Sequence, residues 1–132
     1  MIVLDTDAVS ELLRRAPAER FVQRLRRARP DSLATTSITL GELAFGAVRT
    51  GRPDLYVRAM GLLKDVTVLD FDRRAAEAYG PICARLERDG TRLADPDLRI
   101  ASIVVSRDAT LVSGNERHFA RVPGLKLENW LR

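Results

Sequence analysis

Met1-Ile2-Val3-Leu4-Asp5-Thr6-Asp7-Ala8-Val9-Ser10-Glu11-Leu12 decides how the rest of the chain is read. A strand buried on both faces of a parallel sheet reads as an unbroken apolar run, so Ile2–Leu4 is predicted to be one, with Asp5 at its carboxyl end. Ligands of open α/β sheets bind in the crevice outside those ends. Asp5 and Asp7 therefore have two readings: carboxylates of a site, or caps for the unpaired N–H groups that open the next helix.

Working outward, Val9, Leu12 and Leu13 recur at helical spacing and predict a helix over Asp7–Arg15. Pro17 fits the first turn of a second helix, Ala18–Arg29. That helix carries Phe21, Val22 and Leu25 on one side and Arg20, Arg24 and Arg27 on another, a pattern expected of one buried and one solvated face. Pro30-Asp31-Ser32 breaks the pattern, and Leu33-Ala34-Thr35-Thr36 reads as a second strand. A helix from about Ile38 to Thr50, closed by Gly51, follows it. Glu42 again has two readings: partner of Thr39 in a Ser/Thr-x-x-Glu capping box, or a carboxylate aimed across the sheet edge toward Asp5.

Pro53 opens a helix to about Lys64, and Val66–Asp70 is a third strand. The helix Arg73–Arg88 is capped by Asp72 and stopped by Asp89-Gly90, with Ala76, Tyr79, Ile82, Cys83 and Leu86 on its apolar face. Asp95-Pro96-Asp97 opens a helix to Ser106, with Asp95 as the expected N-cap and Asp97 one step inside, where the helix dipole favours negative charge. Thr110–Ser113 is a fourth strand, ending at Gly114-Asn115, and Lys126–Glu128 a short fifth. Strands alternating with helices predict an α/β fold: a central parallel sheet of four to five strands, doubly wound with helices on both faces.

A chain of 132 residues has room for one core, so residues 1–132 are expected to form a single domain. With 45% hydrophobic and 30% charged residues, the composition is that of an ordinary globular protein rather than a disordered or membrane one. No apolar run is long enough to span a bilayer, and Asp5, Asp7 and Glu11 interrupt the first one, so a cytoplasmic location is expected. The lone Cys83 excludes an internal disulfide and reads as a small core side chain, and one histidine, His118, excludes metal sites built on several histidines. Any catalysis must then rest largely on carboxylates. The net charge of +4, with 20 of 22 basic residues being arginine, is compatible with a nucleic-acid substrate, since the guanidinium fork suits phosphate.

Asp5 follows a strand directly, and Glu42 and Asp97 lie early in helices that follow strands or strand-like loops. In a parallel sheet all three positions fall on the carboxyl edge. Unpaired carboxylates at close range repel one another and hold raised pKa values unless a cation neutralises them. A hard divalent ion with oxygen ligands, magnesium or manganese, is the natural partner.

Four segments, in this order and spacing, resemble those of the PIN-domain family: Leu4-Asp-Thr-Asp-Ala-Val-Ser-Glu, Ser37-Ile-Thr-Leu-Gly-Glu-Leu-Ala-Phe-Gly, Ala94-Asp-Pro-Asp-Leu-Arg-Ile-Ala and Leu111-Val-Ser-Gly-Asn-Glu-Arg-His-Phe. The length and the closing stretch from Pro123-Gly124-Leu125 to Trp130 are similar in particular to VapC-type toxins of toxin-antitoxin modules. The resemblance implies a PIN-like fold with Asp5, Glu42 and Asp97 as the acidic, metal-binding and catalytic positions, and magnesium-dependent cleavage of RNA. It also implies a cognate antitoxin and self-association as a homodimer or higher assembly, with an antitoxin segment lying across early-helix residues such as Leu12, Leu13, Phe21 and Leu25. A further acid, expected in the family after the fourth strand, is replaced here by Asn115. Supporting roles then fall to Thr6 and Asp7 beside the first acid, to Ser113, and to Asp95 where it is not engaged as a cap.

Two other readings remain at this level. Ile2-Val-Leu-Asp-Thr-Asp-Ala-Val also resembles the opening motif of haloacid-dehalogenase-type phosphatases, in which Asp5 would be a covalent nucleophile, although neither Lys64 nor Lys126 lies in a matching context. The loss of an acid at Asn115 allows a non-catalytic PIN-like RNA-binding module.

Overall fold

The short apolar runs of the sequence become the strands of one sheet. In a computed structural model describing residues 1–132, β1 (Ile2–Leu4) leads into α1 (Thr6–Leu12) and α2 (Glu19–Arg27). A single 3-10 turn, Pro30–Ser32, precedes β2 (Leu33–Thr36), α3 (Ser37–Arg49) and α4 (Pro53–Leu62). Then come β3 (Thr67–Leu69), α5 (Arg73–Arg88), α6 (Asp95–Ser106), β4 (Thr110–Val112), α7 (Glu116–Phe119) and β5 (Lys126–Glu128). The strand order is β3-β2-β1-β4-β5 and every pairing is parallel. This is the doubly wound arrangement expected from the alternation of elements.

Register explains how three-residue strands hold a two-sided core. Val3 pairs with Ala34 on one side and Leu111 on the other, so these side chains share a face. With Leu69 they pack against Ile82 and Leu86 of α5, Ile100, Ile103 and Val104 of α6, and Phe119 of α7. One step along, Leu4 pairs with Val112 on the opposite face, against Ala8 and Val9 of α1, Phe21 of α2, Leu63 and Trp130. Phe21 is completely buried and Phe119 nearly so. Burial of each such ring contributes about 2–3 kcal/mol.

Several boundaries differ from the sequence reading, each for a local reason. α1 ends at Leu12 rather than Arg15, where the Leu13 and Arg14 N–H groups turn back to Ser10 and Glu11. Pro17 lies outside α2, whose N-cap is Ala18, and no side chain caps that end. On α5 the buried register is Ala75, Ile82 and Leu86, with Ala76 exposed and Cys83 only half-buried. α7 was not anticipated, because four residues are too few to show a period. On α2, Arg24 is not a free solvated cation: it stacks 4.8 Å from the Trp130 ring and pairs with Glu128 at 3.0 Å, while Trp130 Nε1 donates to the same carboxylate. Phe21 is too deeply buried to receive a partner, and Leu12 and Leu25 lean on the same cluster. Leu13 instead faces a groove shared with Leu43 and Ala47 of α3 and Leu55 of α4. No helix is long and apolar enough to cross a membrane.

Candidate active site

From β1 the chain crosses to β2 on one side, and β4 later pairs on β1's other side, so the winding reverses at β1. In open α/β sheets a crevice forms at that switch, outside the carboxyl ends. Asp5 follows β1 directly and Ser113 follows β4 directly, so the switch brings both to one place. Asp5 is only 4% exposed, and its Oδ1 accepts the Ala8 N–H at 2.9 Å, capping α1. The cap and site readings therefore apply to the same side chain, which caps α1 from a buried place at the switch point. Burial pushes the Asp5 carboxyl up to about 7; hydrogen bonding from Ser113 and from Ala8 opposes this, and the negative charges of Asp7 and Asp97 add to it. Ser113 is itself fully buried and its Oγ accepts the Asn115 N–H at 2.9 Å.

Glu42 lies in the second turn of α3, and the capping box proposed for it does not form. Thr36 is the N-cap, accepting the Thr39 N–H at 3.1 Å. Glu42 is thereby released from capping and takes a 2.6 Å hydrogen bond from the Thr6 hydroxyl across to α1. Thr6 thus serves beside Asp5 by orienting a different acid. The half-buried Asp97 sits in the first turn of α6. Burial raises its carboxyl above the ordinary value, the charges of Glu42 and Asp7 raise it further, and His118 of α7 pulls it back. Asp7 itself is exposed in the first turn of α1. Nothing in the sequence pattern singled out His118 as a neighbour of Asp97, because α7 was not foreseen.

Asp95 has a different fate. It is the first residue of α6 rather than its cap, since Ala94 holds the cap position without a side-chain bond. Oδ1 accepts from the Tyr79 hydroxyl at 2.7 Å and Oδ2 from Arg99 Nε at 2.7 Å. These bonds, Tyr79 first, lower the Asp95 carboxyl and push the Tyr79 hydroxyl up to about 12. Asp95 therefore does not replace the acid missing at Asn115. Asn115 holds the N-cap position of α7 with φ −98°, and its side chain makes no capping bond. Its backbone is ordinary, and at Gly114 a Cβ would lie 3.2 Å from Leu131 Cδ2. The close approach of Leu131, rather than a positive φ, accounts for the glycine at 114.

The carboxylates share one sheet edge and one electrostatic field, yet no three of them close into a ready-made cage for an ion. Their own donors explain this: Ala8 and Ser113 hold Asp5, and Thr6 holds Glu42. The donors are all oxygens, carboxylate and hydroxyl, without thiol or paired imidazoles. That set fits magnesium, which keeps several waters and needs only one or two direct carboxylates, better than zinc. No lysine reaches the crevice for phosphatase chemistry by the haloacid-dehalogenase route. Lys126 opens β5 at the opposite edge, paired with Asp108 at 2.9 Å.

Residues 2–125 match the PIN domain family. Over 133 aligned positions the chain is 33% identical to Ribonuclease VapC2 of Haemophilus influenzae, covering 98% of this chain and 97% of that protein. It is 37% identical over 99 positions to the tRNA(fMet)-specific endonuclease VapC of Salmonella typhimurium, covering 74% and 75% of the two chains. Among solved structures, VapBC2 from Rickettsia felis bound to a DNA fragment from its promoter superposes with a TM-score of 0.89 at 30% identity, over 98% of this chain and 99% of that one.

Proposed function

The chain belongs to the PIN-domain family and is a nuclease of its VapC type; from the geometry of the carboxyl edge we propose that it cleaves RNA phosphodiester bonds with magnesium, or manganese, held by Asp5 and Asp97. The observation that carries this reading is Asp5, a carboxyl buried at the switch point without a cationic partner and raised to about 7 beside another raised acid, Asp97. Perturbed carboxylates in a crevice are what a metal-assisted hydrolase requires.

Bound there, a divalent ion supplies charge stabilisation at the phosphate and a more acidic water. The residues of the chain do the rest. Ala8 N–H and Ser113 fix the Asp5 carboxylate in place at the end of β1. Asp97, raised beside Glu42 and Asp7, would be the second carboxylate to hold the ion. Glu42, oriented by Thr6, faces the same field and receives the proton of the attacking water, directly or through a second water. Asp7, exposed at the rim, repels polyanions until a cation is present. Asn115 contributes a neutral amide where a further carboxylate would add charge.

The protein is the toxin of a toxin-antitoxin pair, and its partner is a cognate antitoxin; relatives of the same fold have been solved as VapBC assemblies. The groove between α1, α3 and α4, about 420 Å³ and lined by Leu13, Leu43 and Leu55 with Arg14 and Arg49 at its rim, suits an amphipathic antitoxin segment with acidic flanks. We assign the pair to the cytoplasm, where its RNA substrate is found. The test is incubation of the purified protein with pooled cellular RNA, with magnesium or with a chelator, followed by mapping of new ends. Discrete ends that need the metal support the reading, and an identical end profile under both conditions overturns it.

A further inference from the structure

Arg99 is held more firmly than a surface arginine of an ordinary helix. Its Nε donates to Asp95 Oδ2 at 2.7 Å, and Asp95 is fixed from its other oxygen by Tyr79 of α5. Its guanidinium carbon lies 5.2 Å from the Phe71 ring centre and 5.8 Å from that of Tyr79, and the two rings meet edge to face at 5.8 Å. An ion pair between residues four apart at a half-exposed site is by itself worth little to stability. What the arrangement does achieve is a fixed orientation, because carboxylate and rings together define the plane of the guanidinium. The terminal nitrogens make no hydrogen bond within the chain.

Arg99 borders a groove of about 580 Å³ between α3 and α6, lined also by Gly41, Glu42, Phe45, Asp95 and Pro96. Glu42 belongs also to the candidate active site, so the groove opens from it. Gly41 has nothing within 4 Å of where a Cβ would stand, which leaves the α3 wall open. Phe45 is 64% exposed with the Arg49 guanidinium 5.4 Å from its ring centre, and a single-stranded nucleic acid offers unstacked bases to such rings and phosphates to such cations. A planar fork with free donors and an exposed ring on one groove, next to a carboxylate site for phosphate chemistry, offer the two kinds of contact that a single-stranded RNA takes, at phosphate and at base. Given the ribonuclease reading above, on which this rests, we infer that Arg99 is a substrate-positioning residue. Its terminal nitrogens take a phosphate of the RNA strand lying along the α3–α6 groove, adjacent to the phosphate to be cleaved.

The test is the salt dependence of RNA binding, measured by fluorescence anisotropy of a labelled single-stranded RNA of mixed sequence in the Asp5→Asn background, where binding is read without cleavage. Each phosphate contact to a single strand contributes about 0.7 to the slope of log affinity against log salt. Arg99→Gln is expected to lower the slope by about that amount and to weaken binding about tenfold at low salt. Arg99→Lys keeps the charge without the fork, so it retains the slope while binding several-fold more weakly. Tyr79→Phe loosens Asp95 and produces a smaller loss of affinity at unchanged slope. Arg88→Gln, an exposed arginine outside the groove, leaves both quantities as they were. An unchanged slope in Arg99→Gln overturns the inference, as does an equal fall in Arg88→Gln. If the Asp5→Asn protein binds no RNA even at low salt, the ribonuclease reading falls together with the groove. Binding with an unaltered Arg99→Gln slope removes only the groove.

Discussion

At the end of β1, Asp5 loses its water without gaining a cation, and burial pushes its carboxyl up to about 7. At the start of α6, Asp95 keeps 52% of its side-chain surface, takes hydrogen bonds from Tyr79 and Arg99, and is lowered by them. Both are aspartates at the opening of a helix near one sheet edge, and by spacing alone they look alike. The difference is in compensation. Where hydrogen bonds from Tyr79 and Arg99 outweigh burial, the acid is lowered and belongs to the scaffold; where burial outweighs the donors, as at Asp5, the acid is left raised, the condition under which a cation binding there stabilises the charged form. Asp97, two residues beyond Asp95, stands on the uncompensated side, raised by burial and by Glu42.

Neutralising Asp95 and, separately, each of the three acids assigned to the site tells the two kinds apart. Asp5→Asn, Asp97→Asn and Glu42→Gln should each lower magnesium-dependent cleavage by at least about a hundredfold while leaving the circular dichroism spectrum intact, since each deletes charge at nearly constant size. Asp95→Asn should keep cleavage within about tenfold of wild type at saturating RNA. Equal losses at Asp95 and Asp97 would erase the distinction. Full activity in any of the first three variants, folded, would remove that residue from the site.

Stability of the metal-free protein gives the next largest contrast. Asp5 is raised in the folded state from 3.8 to about 7, so below about pH 4 it is protonated whether the chain is folded or not, and contributes nothing. As pH rises through this window the unfolded chain releases the proton and the fold retains it, so folding loses stability. Above about 7 the loss is complete, at most about 4 kcal/mol for a shift of about three units. Asp95 has the opposite sign: its lowered carboxyl contributes stability above the ordinary aspartate range, and this is lost as pH falls. Thermal melts in chelator from pH 4 to 8 should therefore show Asp5→Asn gaining on wild type as pH rises. A difference that is flat with pH would mean that Asp5 is solvated.

How much of this was legible in the sequence depends on the distance over which each contact acts. Ile2–Leu4 and Thr110–Val112 stand out as apolar runs, and a parallel sheet then delivers Asp5, Glu42 and Asp97 to one edge. The cap of α3 stays open in the sequence because Thr35, Thr36, Ser37 and Thr39 all offer hydroxyls, and which one caps depends on where β2 stops. Thr35 settles that by donating to the Leu4 carbonyl at 2.8 Å, a contact between strands. The Tyr79–Asp95 bond likewise spans 16 residues and exists only because α5 packs on α6. Local propensity carries no trace of such pairings.

A smaller effect tests how the compensated scaffold supports the uncompensated acids. Thr6→Val removes the 2.6 Å hydrogen bond to Glu42 while keeping the shape of the side chain. Glu42 then loses its orientation but not its charge. The turnover rate should fall about tenfold with little change in KM, because positioning of a proton acceptor acts mainly in the transition state. Thr6→Ser, which keeps the hydroxyl, should restore most of the rate. Equal loss in both variants would assign Thr6 to packing alone.

The smallest expected effect lies at Asn115, where the two kinds of acid could be exchanged by one atom. Its backbone N–H bonds to Ser113, which in turn acts on Asp5, but its own amide side chain has no capping bond. It borders a wholly polar groove with Glu116, Arg117, Asn129 and Arg132. Asn115→Asp would add a carboxylate two residues after Ser113, at the end of β4 that neighbours Asp5. Ion binding should tighten, and the magnesium concentration for half-maximal cleavage should fall several-fold. Without metal the same charge adds to the repulsion on Asp5, so the variant should melt lower than wild type in chelator and recover on addition of magnesium. Asn115→Ala keeps the backbone bond to Ser113 and should change the magnesium requirement by less than twofold, roughly the limit of the titration. A magnesium midpoint identical in wild type and both variants would place Asn115 with Asp95, as a residue of the scaffold whose position at the sheet edge has no bearing on the ion.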